Sequence, residues 1–430
     1  MKRLSTICFV APLLLPAHSV RAQSVERLSL KEAEERAVQN HPEVRAGQYA
    51  ALAAGETVRE VKSAYFPAVF ANFTGAQAPQ DTRIAAGGLN NPTILGRFAY
   101  GFAASQTLTD FGRTSALGAS ATFRADSQQQ DVTARRADVM LQVDRAYFDA
   151  LRAQAVLRVA EQTVSARQLV VDQVAALAST GLKSSLDLSF ARVNLSEAQL
   201  LLVEAKNDEQ ASYAKLSAAL GASQTATTYE LADQPLPEAP TRDSAALVAS
   251  ALRDRPDVAR ERLAEESAAK FAQAERALWF PTISLIGAAG LTPFHQVGLT
   301  NQYSAIGVNL SLPITNGNLY SARRAEADFR TSAEQQNLRD LENRVARDVQ
   351  LAWLDAQTAY QRLDLTNELL AQATDALDLA QQRYNLGLSS IVELTQAQLN
   401  QTRAQIEQAT ARYEYQARIA GLRYQIGALK

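Results

Sequence analysis

The sequence predicts an α+β membrane protein built from two internal repeats, each supplying two membrane-spanning β-strands and one long antiparallel helical hairpin. Three observations lead to this fold class. Landmark motifs recur in the same order at offsets of 214, 205 and 206 residues. Apolar residues follow a heptad period over two stretches that lack glycine and proline. Between the landmarks the period changes to two, which is typical of β-strands.

The first 22 residues have the organisation of a secretory signal peptide. Lys2 and Arg3 precede an apolar run, Ile7–Leu15, that is too short for a spanning helix, and we expect cleavage after Ala22. A buried N-terminal helix is the alternative interpretation. The one cysteine, Cys8, lies in this segment, so the predicted mature chain has no disulfide framework, thiolate metal site or cysteine nucleophile.

The charge balance argues against a nucleic-acid partner. Removing residues 1–22 takes away three of the 43 basic residues and no acid, leaving 40 basic against 45 acidic residues, a net charge of −5. No later stretch approaches the ~18 to 20 apolar residues of a spanning helix, so insertion into a membrane would require a β-barrel.

Four pairs of landmarks define the repeat. The matched segments are 40–45 with 254–259, 65–67 with 279–281, 109–112 with 314–317, and 181–188 with 387–394. The change of offset places a deletion of nine residues in the second half. We therefore predict a signal peptide at 1–22, a first repeat at 23–221, a proline-rich linker at 222–241 and a second repeat at 242–430.

Each repeat contains one very long predicted helix. No glycine or proline occurs from Ala119 to Thr180 or from Asn318 to Leu386, and at ~1.5 Å per residue such a helix is on the order of 100 Å long. The heptad seams share one register at an offset of 206. Gly181 and Gly387 are expected C-terminal caps, after which a shorter helix returns along the first. The seams are Val139, Val143, Ala146, Ala150, Ala153, Leu157, Ala160 and Val164, and Val345, Val349, Ala352, Ala356, Ala359, Leu363, Thr366, Leu370, Ala373, Leu377, Ala380 and Tyr384.

Two segments alternate large apolar residues with small or polar ones, as outer-membrane strands do. The large residues are Phe98, Tyr100, Phe102, Ala104 and Leu108 in the first half, and Ile306, Val308, Leu310, Leu312 and Ile314 in the second. The segments 67–75 and 281–290 are predicted as their partner strands. A soluble sheet packed on one face would give a similar pattern. Four strands cannot close a barrel, so a membrane-spanning form must oligomerise.

The ordered set of motifs resembles the TolC outer-membrane factor family of outer-membrane efflux proteins. The set comprises the signal peptide, Asn-His-Pro-Glu at 40–43, the repeated helix–strand–strand–hairpin order, Asp-Phe-Gly-Arg at 110–113 and the Gly-Leu-x-Ser turns. The resemblance implies a homotrimer whose four strands per chain form a twelve-stranded transmembrane β-barrel. This barrel continues into a periplasmic coiled-coil barrel of α-helices.

The resemblance also implies a function. It predicts a passive export duct in a tripartite efflux or type I secretion system, located in the outer membrane with helices in the periplasm. Its partners would be outer-membrane lipid, a periplasmic adaptor (membrane fusion protein) and an inner-membrane pump. The loops Ala76–Gly96 and Leu291–Gln302 would face the exterior. Segments Ser29–Tyr65 and Arg242–Phe280 would form shorter helices and a belt around the tunnel.

Nothing in the sequence indicates an enzyme, a metal site or a cofactor. His41 precedes Pro42 at a predicted helix start, and His295 lies in a predicted outer loop. The triplet Asp110–Gly112 is read as a turn leaving a strand, because no glycine-rich loop or His-Arg-Asp motif accompanies it.

The predicted site is the periplasmic tip of the hairpins, where the family carries acidic rings and a latch. Asp187 and Glu393 match the acidic positions that constrict the pore, and Gln396 falls where some members carry a second acid. Tyr384 matches a latch tyrosine, whereas Ser389 replaces the latch arginine. Simple capping of helix N-termini is the alternative role for the two acids. The predicted adaptor contacts are Gly181, Leu182, Ser184, Gly387, Leu388 and Ser390.

Two other classes of protein compete with the channel. A periplasmic coiled-coil scaffold without a pore would explain the helices and the signal peptide, but it leaves the period-two strands unexplained. A general diffusion porin would need many more strands and no long helices.

Overall fold

The computed structural model describes residues 26–77, 96–222, 229–241, 243–295 and 300–429. The predicted signal peptide and most of the first outer loop lie outside these residues. Within the described part, no helix combines the length and the apolar composition needed to cross a membrane.

The same order of elements occurs twice along the chain. The first series is β1 (Glu26–Leu28), α1 (Leu30–Asn40), α2 (Pro42–Lys62), β2 (Ala68–Ala76), β3 (Arg97–Thr109), α3 (Arg113–Ser179) and α4 (Ser185–Ala219). The second is β4 (Tyr229–Leu231), α5 (Ser244–Asp254), α6 (Pro256–Arg276), β5 (Thr282–His295), β6 (Gln302–Ser311), α7 (Leu319–Asn385) and α8 (Ile391–Gln425). Corresponding helices have equal lengths of 11, 21, 67 and 35 residues. The domain boundaries given above remain predictions.

The short helices begin at well-defined caps. Ser29 and Glu32 form a capping box at the start of α1, in which each side chain binds the other residue's backbone N–H. His41 ends α1 and caps α2, because its Nδ1 accepts a hydrogen bond from the backbone N–H of Glu43 at 3.3 Å. Pro42 occupies the first helical position, where its missing N–H costs nothing. The predicted helix start at His41 is confirmed.

The long helices extend slightly differently from their predicted limits. Helix α3 begins at Arg113 rather than Ala119 and includes Gly118, because a single glycine inside a long helix costs only about 1 kcal/mol. Helix α7 starts and ends one residue inside its predicted range. Every residue of both predicted seams is buried or half-buried, as the heptad pattern requires.

Four strands form one antiparallel sheet in the order β2-β3-β5-β6. Strand β5 runs to His295, five residues past its predicted end, because a bulge opposite Ala99 lets Pro293 sit outside the regular ladder. Strand β6 ends at Ser311, so the predicted outward positions Leu312 and Ile314 lie beyond the strand. Pro313 lies between them and cannot donate to a ladder.

The two faces of the sheet differ as the alternation predicts. Phe102, Val308 and Ile306 point from one face and are 64%, 66% and 80% exposed in the single chain. On the other face the hydroxyl of Tyr303 covers Gly101 and Gly290, where an added Cβ would lie 2.5 Å from that oxygen. The backbone carbonyl oxygens of Ala289 and Tyr100 lie closer still to the added Cβ atoms at Gly101 and Gly290, so the close approach of neighbouring backbone, together with the tyrosine, requires these two glycines.

The connector between the repeats is fixed against the long helices. The Tyr147 hydroxyl of α3 donates toward the carbonyl oxygens of Leu28 and Ala232, at 2.9 and 2.7 Å. The indole N–H of Trp353 on α7 donates to the Thr241 carbonyl at 2.7 Å. The side-chain amide of Gln416 on α8 donates to the Gln234 carbonyl at 3.0 Å, so residues 229–241 lie as a belt across α3, α7 and α8.

A buried carboxyl lies in the same region. Asp144 of α3 is 3% exposed and lies beside the carboxyl of Glu34 on α1, and its Oδ1 has no hydrogen-bond partner within the described ranges. Burial, and after it the contact with Glu34, raises the pKa of Asp144 to about 8. The positive charge of Arg423 on α8 opposes this shift.

We predict a pH-dependent stability that comes from Asp144. Because its pKa is higher in the folded chain than the roughly 4 of an unfolded aspartate, its contribution is full below about pH 4 and is lost as pH rises to about 8. Asp144→Asn should therefore raise the thermal unfolding temperature near pH 8 and flatten its decline with pH.

The matched control is Asp149→Asn, which changes a half-buried carboxylate of the same helix that pairs with Arg152 at 3.3 Å. It should leave the pH slope unchanged. A wild-type slope retained in Asp144→Asn would contradict this assignment.

Candidate functional site: the tips of the helical hairpins

Both hairpin turns are closed by a glycine in the left-handed region. Gly181 and Gly387 have φ of 76° and 75°. After each, a backbone N–H returns to the helix, from Leu182 to the Leu177 carbonyl at 2.9 Å and from Leu388 to the Arg383 carbonyl at 2.8 Å. This is the glycine-capped helix end that the sequence predicts.

Asp187 is held by its own helix. Its carboxylate accepts from the backbone N–H and the hydroxyl of Ser184, at 3.1 and 3.0 Å, while its own N–H donates to the Ser184 hydroxyl at 3.1 Å. These contacts form a complete capping box at the start of α4. The capping role weighed above is therefore present at Asp187, and a role in the pore remains a prediction.

Glu393 has different partners at the equivalent place. Its backbone N–H donates to the Ser390 hydroxyl at 3.4 Å, but its carboxylate pairs with Arg383 at 3.1 Å. Gln396, one turn further on, donates to the Asn400 side chain at 2.9 Å. The two acids therefore occupy equivalent positions but have different partners, Ser184 for Asp187 and Arg383 for Glu393.

Tyr384 lies in an apolar cluster that joins the two hairpins. It is 7% exposed, and its neighbours in the cluster are Val171, Val174, Ala191, Ile391 and Leu394. Its hydroxyl has no hydrogen-bond partner among the described residues. Burial and then the negative charge of Asp187 raise its pKa.

Lys183 reaches across from the other hairpin to the same tyrosine. Its Nζ lies 4.1 Å from the centre of the Tyr384 ring, which is the geometry of a cation–π contact. The hydroxyl of Ser389 is buried and also lacks a partner among the described residues. Lys183, in the turn of the first hairpin, therefore contacts the Tyr384 ring. The family resemblance implies an arginine in this latch, at the position of Ser389.

Three leucines are exposed at the tips. Leu182, Leu386 and Leu388 are 72%, 73% and 66% exposed. The hydroxyls of Ser184 and Ser390 are already occupied as helix caps. Of the predicted adaptor contacts, the leucines are therefore the side chains most available to a partner.

The structure adds residues that sequence reasoning missed. Lys183 contacts Tyr384, and Arg383 pairs with Glu393, so each places a positive charge beside a predicted site residue. Asn194 of α4 donates to Thr395 of α8 at 2.9 Å, linking the hairpins above the tip. In the described part, no group of three or more metal-ligating side chains is present.

Comparison with known proteins identifies the family. The model for the outer membrane efflux protein family matches residues 34–222 and 247–428. The outer membrane protein TolC of Vibrio cholerae is 24% identical over 416 residues, which are 93% of this chain and 91% of that protein. The outer membrane efflux protein BepC of Brucella suis is 23% identical over 73% of this chain and 68% of that protein.

Solved structures share the fold. A membrane protein from Pseudomonas aeruginosa matches with a TM-score of 0.80 at 20% identity, over 94% of this chain and 91% of that one. The open state of the MtrE outer membrane channel of Neisseria gonorrhoeae matches with a TM-score of 0.76 at 18% identity, over 93% and 88%.

The matched segments cover most of the chain and include both long hairpins and all four strands of the sheet. The predicted family and its outer-membrane location are confirmed. The chain belongs to the outer membrane efflux protein family.

Proposed function

We propose that this chain forms a homotrimeric export channel in the outer membrane. Its twelve-stranded β-barrel would continue into a periplasmic tunnel of helices, whose tips are gated by a periplasmic adaptor and an inner-membrane pump. The observation that carries this proposal is a four-stranded sheet with two open edges and an apolar exposed face, joined directly to helices of 67 residues.

The edges of the sheet support assembly from identical copies. Strands β2 and β6 each have one partner in the sheet, and their free backbone groups cannot be left unpaired in lipid. Within the chain, β3 pairs antiparallel with β5, the first strand of the next repeat. By the same rule β6 of one copy would pair with β2 of the next, which keeps the barrel antiparallel throughout.

The helices support the same arrangement. Helix α6 packs against both α3 and α7, whereas α2, which occupies the corresponding place, packs against α3. Helix α6 contacts the long helix of its own repeat, α7, and the long helix of the preceding repeat, α3. For α2 the long helix of the preceding repeat would be α7 of an adjacent copy. Phe329 of α7 is 75% exposed, whereas Phe123, 206 positions earlier on α3, is half-buried. A neighbouring α2 would cover Phe329.

An apolar stripe on α4 supports packing between copies at the tunnel. Its residues recur at steps of three, four and seven, the spacing of a coiled-coil seam, and are exposed in the single chain: Leu186, Phe190, Val193, Leu200 and Val203. The family resemblance sets the number of copies at three. A pore-less scaffold gives no role to the apolar face of the sheet.

Gating would occur at the tips. In a trimer, Asp187 and Glu393 would place six carboxylates near the periplasmic end, and Tyr384 with Lys183 would hold the two hairpins of each chain together. The adaptor would bind the exposed leucines, and separation of the hairpins would widen the opening. Two packings of the same helices are the kind of bistable element that such a gate needs.

The primary test is the mass of the protein extracted from purified outer membranes in mild detergent, measured by light scattering with the detergent subtracted. A detergent-dependent trimer is expected. Val308→Arg should sharply reduce the trimer in the membrane, because an arginine at the lipid face costs about 2 to 4 kcal/mol near the midplane. A water-soluble monomer or dimer would instead support the scaffold.

The matched control is Asn309→Arg, one residue along β6 and therefore on the opposite face. It should leave assembly unchanged. Equal losses in both variants, or in neither, would mean that the apolar face does not contact lipid.

The second prediction concerns the acids. Asp187→Asn with Glu393→Gln should lower the single-channel conductance for cations and weaken the preference for them, because neutral amides remove the negative charge that concentrates cations at the tip. Glu407→Gln is the control, since Glu407 pairs with Arg403 at 2.9 Å higher on α8. Unchanged conductance and selectivity in the double variant would contradict a role of Asp187 and Glu393 in gating.

The third prediction concerns the lysine. Lys183→Met removes the charge above the Tyr384 ring, and a cation–π contact contributes roughly 0.5 to 2 kcal/mol. We expect more frequent opening in planar bilayers, by about twofold to thirtyfold if the whole contact is lost on opening. Lys183→Arg should open like the wild type, because it keeps the charge. Identical opening in all three proteins would show that the contact does not hold the tip.

A further inference from the structure

A charged side chain is buried between the two hairpins just above the tip. Arg167 lies on α3 and is 5% exposed. The apolar cluster of Val171, Tyr384 and Leu394 begins on its tip side. Burial of an arginine in a helical seam is unusual, because this residue is almost never fully buried unless it is paired.

The guanidinium is poorly compensated. It carries five N–H donors, and its one hydrogen bond to the described residues, from Nη2 to the Thr402 hydroxyl, is long at 3.5 Å. In the described part of the chain, no carboxylate forms an ion pair with it. Loss of hydration lowers its pKa to about 10, with the charge of Glu197 as the opposing influence, so the group remains protonated at neutral pH.

The two hairpins are also joined by polar contacts near Arg167. Thr402 and Thr395 are one heptad apart on α8, and Thr395 accepts the hydrogen bond from Asn194 of α4. Polar contacts at Thr395 and Thr402 thus accompany the apolar cluster between the hairpins, and Arg167 is the one of their members that carries a charge. A protonated group at this point opposes close packing, because water would hydrate it better than a single threonine does.

We propose that Arg167 destabilises the packed arrangement of the hairpins and so sets the tip close to its opening transition. This inference rests on the proposed gated channel. Separation of α3 and α4 from α8 would return the guanidinium to water, and the apolar cluster with its lysine contact would oppose that separation. Arg167 is thus a positioning residue that acts on the balance between two packings.

The test compares Arg167→Met with the wild-type protein purified in detergent. Methionine keeps a long flexible side chain and removes the charge. Hydrogen exchange in peptides from 161–179 and 391–404 should slow at least fivefold, the unfolding temperature should not fall, and open events in planar bilayers should become at least fivefold rarer.

Two variants serve as controls. Arg167→Lys keeps a buried cation and should behave like the wild type or exchange faster. Arg192→Met removes an exposed arginine on α4 near the same tip and should change none of the readouts.

The outcomes separate the two proposals. Unchanged or faster exchange in Arg167→Met, or a protein that no longer assembles, would overturn the inference, because Arg167 would then stabilise the packing, for example through a carboxylate of a second copy. Slower exchange in Arg167→Met, combined with a wild-type protein that never conducts, would leave the packing inference intact and overturn the channel.

Discussion

The constraint on which the structure depends is the pairing of backbone groups at the edges of a four-stranded sheet. In lipid each unpaired N–H or C=O costs several kcal/mol, so β2 and β6 each require a second partner. The pairing of β3 with β5 meets this need at the junction between the repeats, with a register that spans 11 residue pairs. The same pairing between β6 of one copy and β2 of the next would extend the sheet around a closed ring. Within the chain, the β3–β5 pairing also brings α6 beside both α3 and α7.

The sheet determines how the long helices start. Phe111 and Gly112 before α3, and Gly317 and Asn318 before α7, all have positive φ and turn the chain sharply from strand to helix. Below these turns Glu275 of α6, which is 1% exposed, lies 2.9 Å from Arg323 of α7 and 3.9 Å from Arg113 of α3. One buried carboxylate thus ties together the first turns of both long helices. The alignment of the strands is thereby transmitted to the hairpins.

Local periodicity predicted the helices, the sheet and the turns, because each depends on residues close together in sequence. The heptad seams and the glycines at 181 and 387 needed no knowledge of the partner helix. The contact of Lys183 with Tyr384 and the burial of Arg167 depend on how one hairpin registers against the other, some 200 residues away. The end of β5 was missed because the bulge at Pro293 depends on its pairing with β3.

Divergence between the repeats makes the two tips chemically different. At the place of Arg383 the first repeat has Leu177, so Asp187 has no equivalent cation and instead caps its own helix through Ser184. The carboxylate of Glu393 pairs with a flexible, half-exposed arginine, and a surface pair of this kind is worth at most about 1 kcal/mol. If both acids line the proposed pore, the Glu393 ring can exchange its arginine for a passing cation at little cost. The Asp187 ring would have to uncap α4, which makes Glu393 the more responsive of the two.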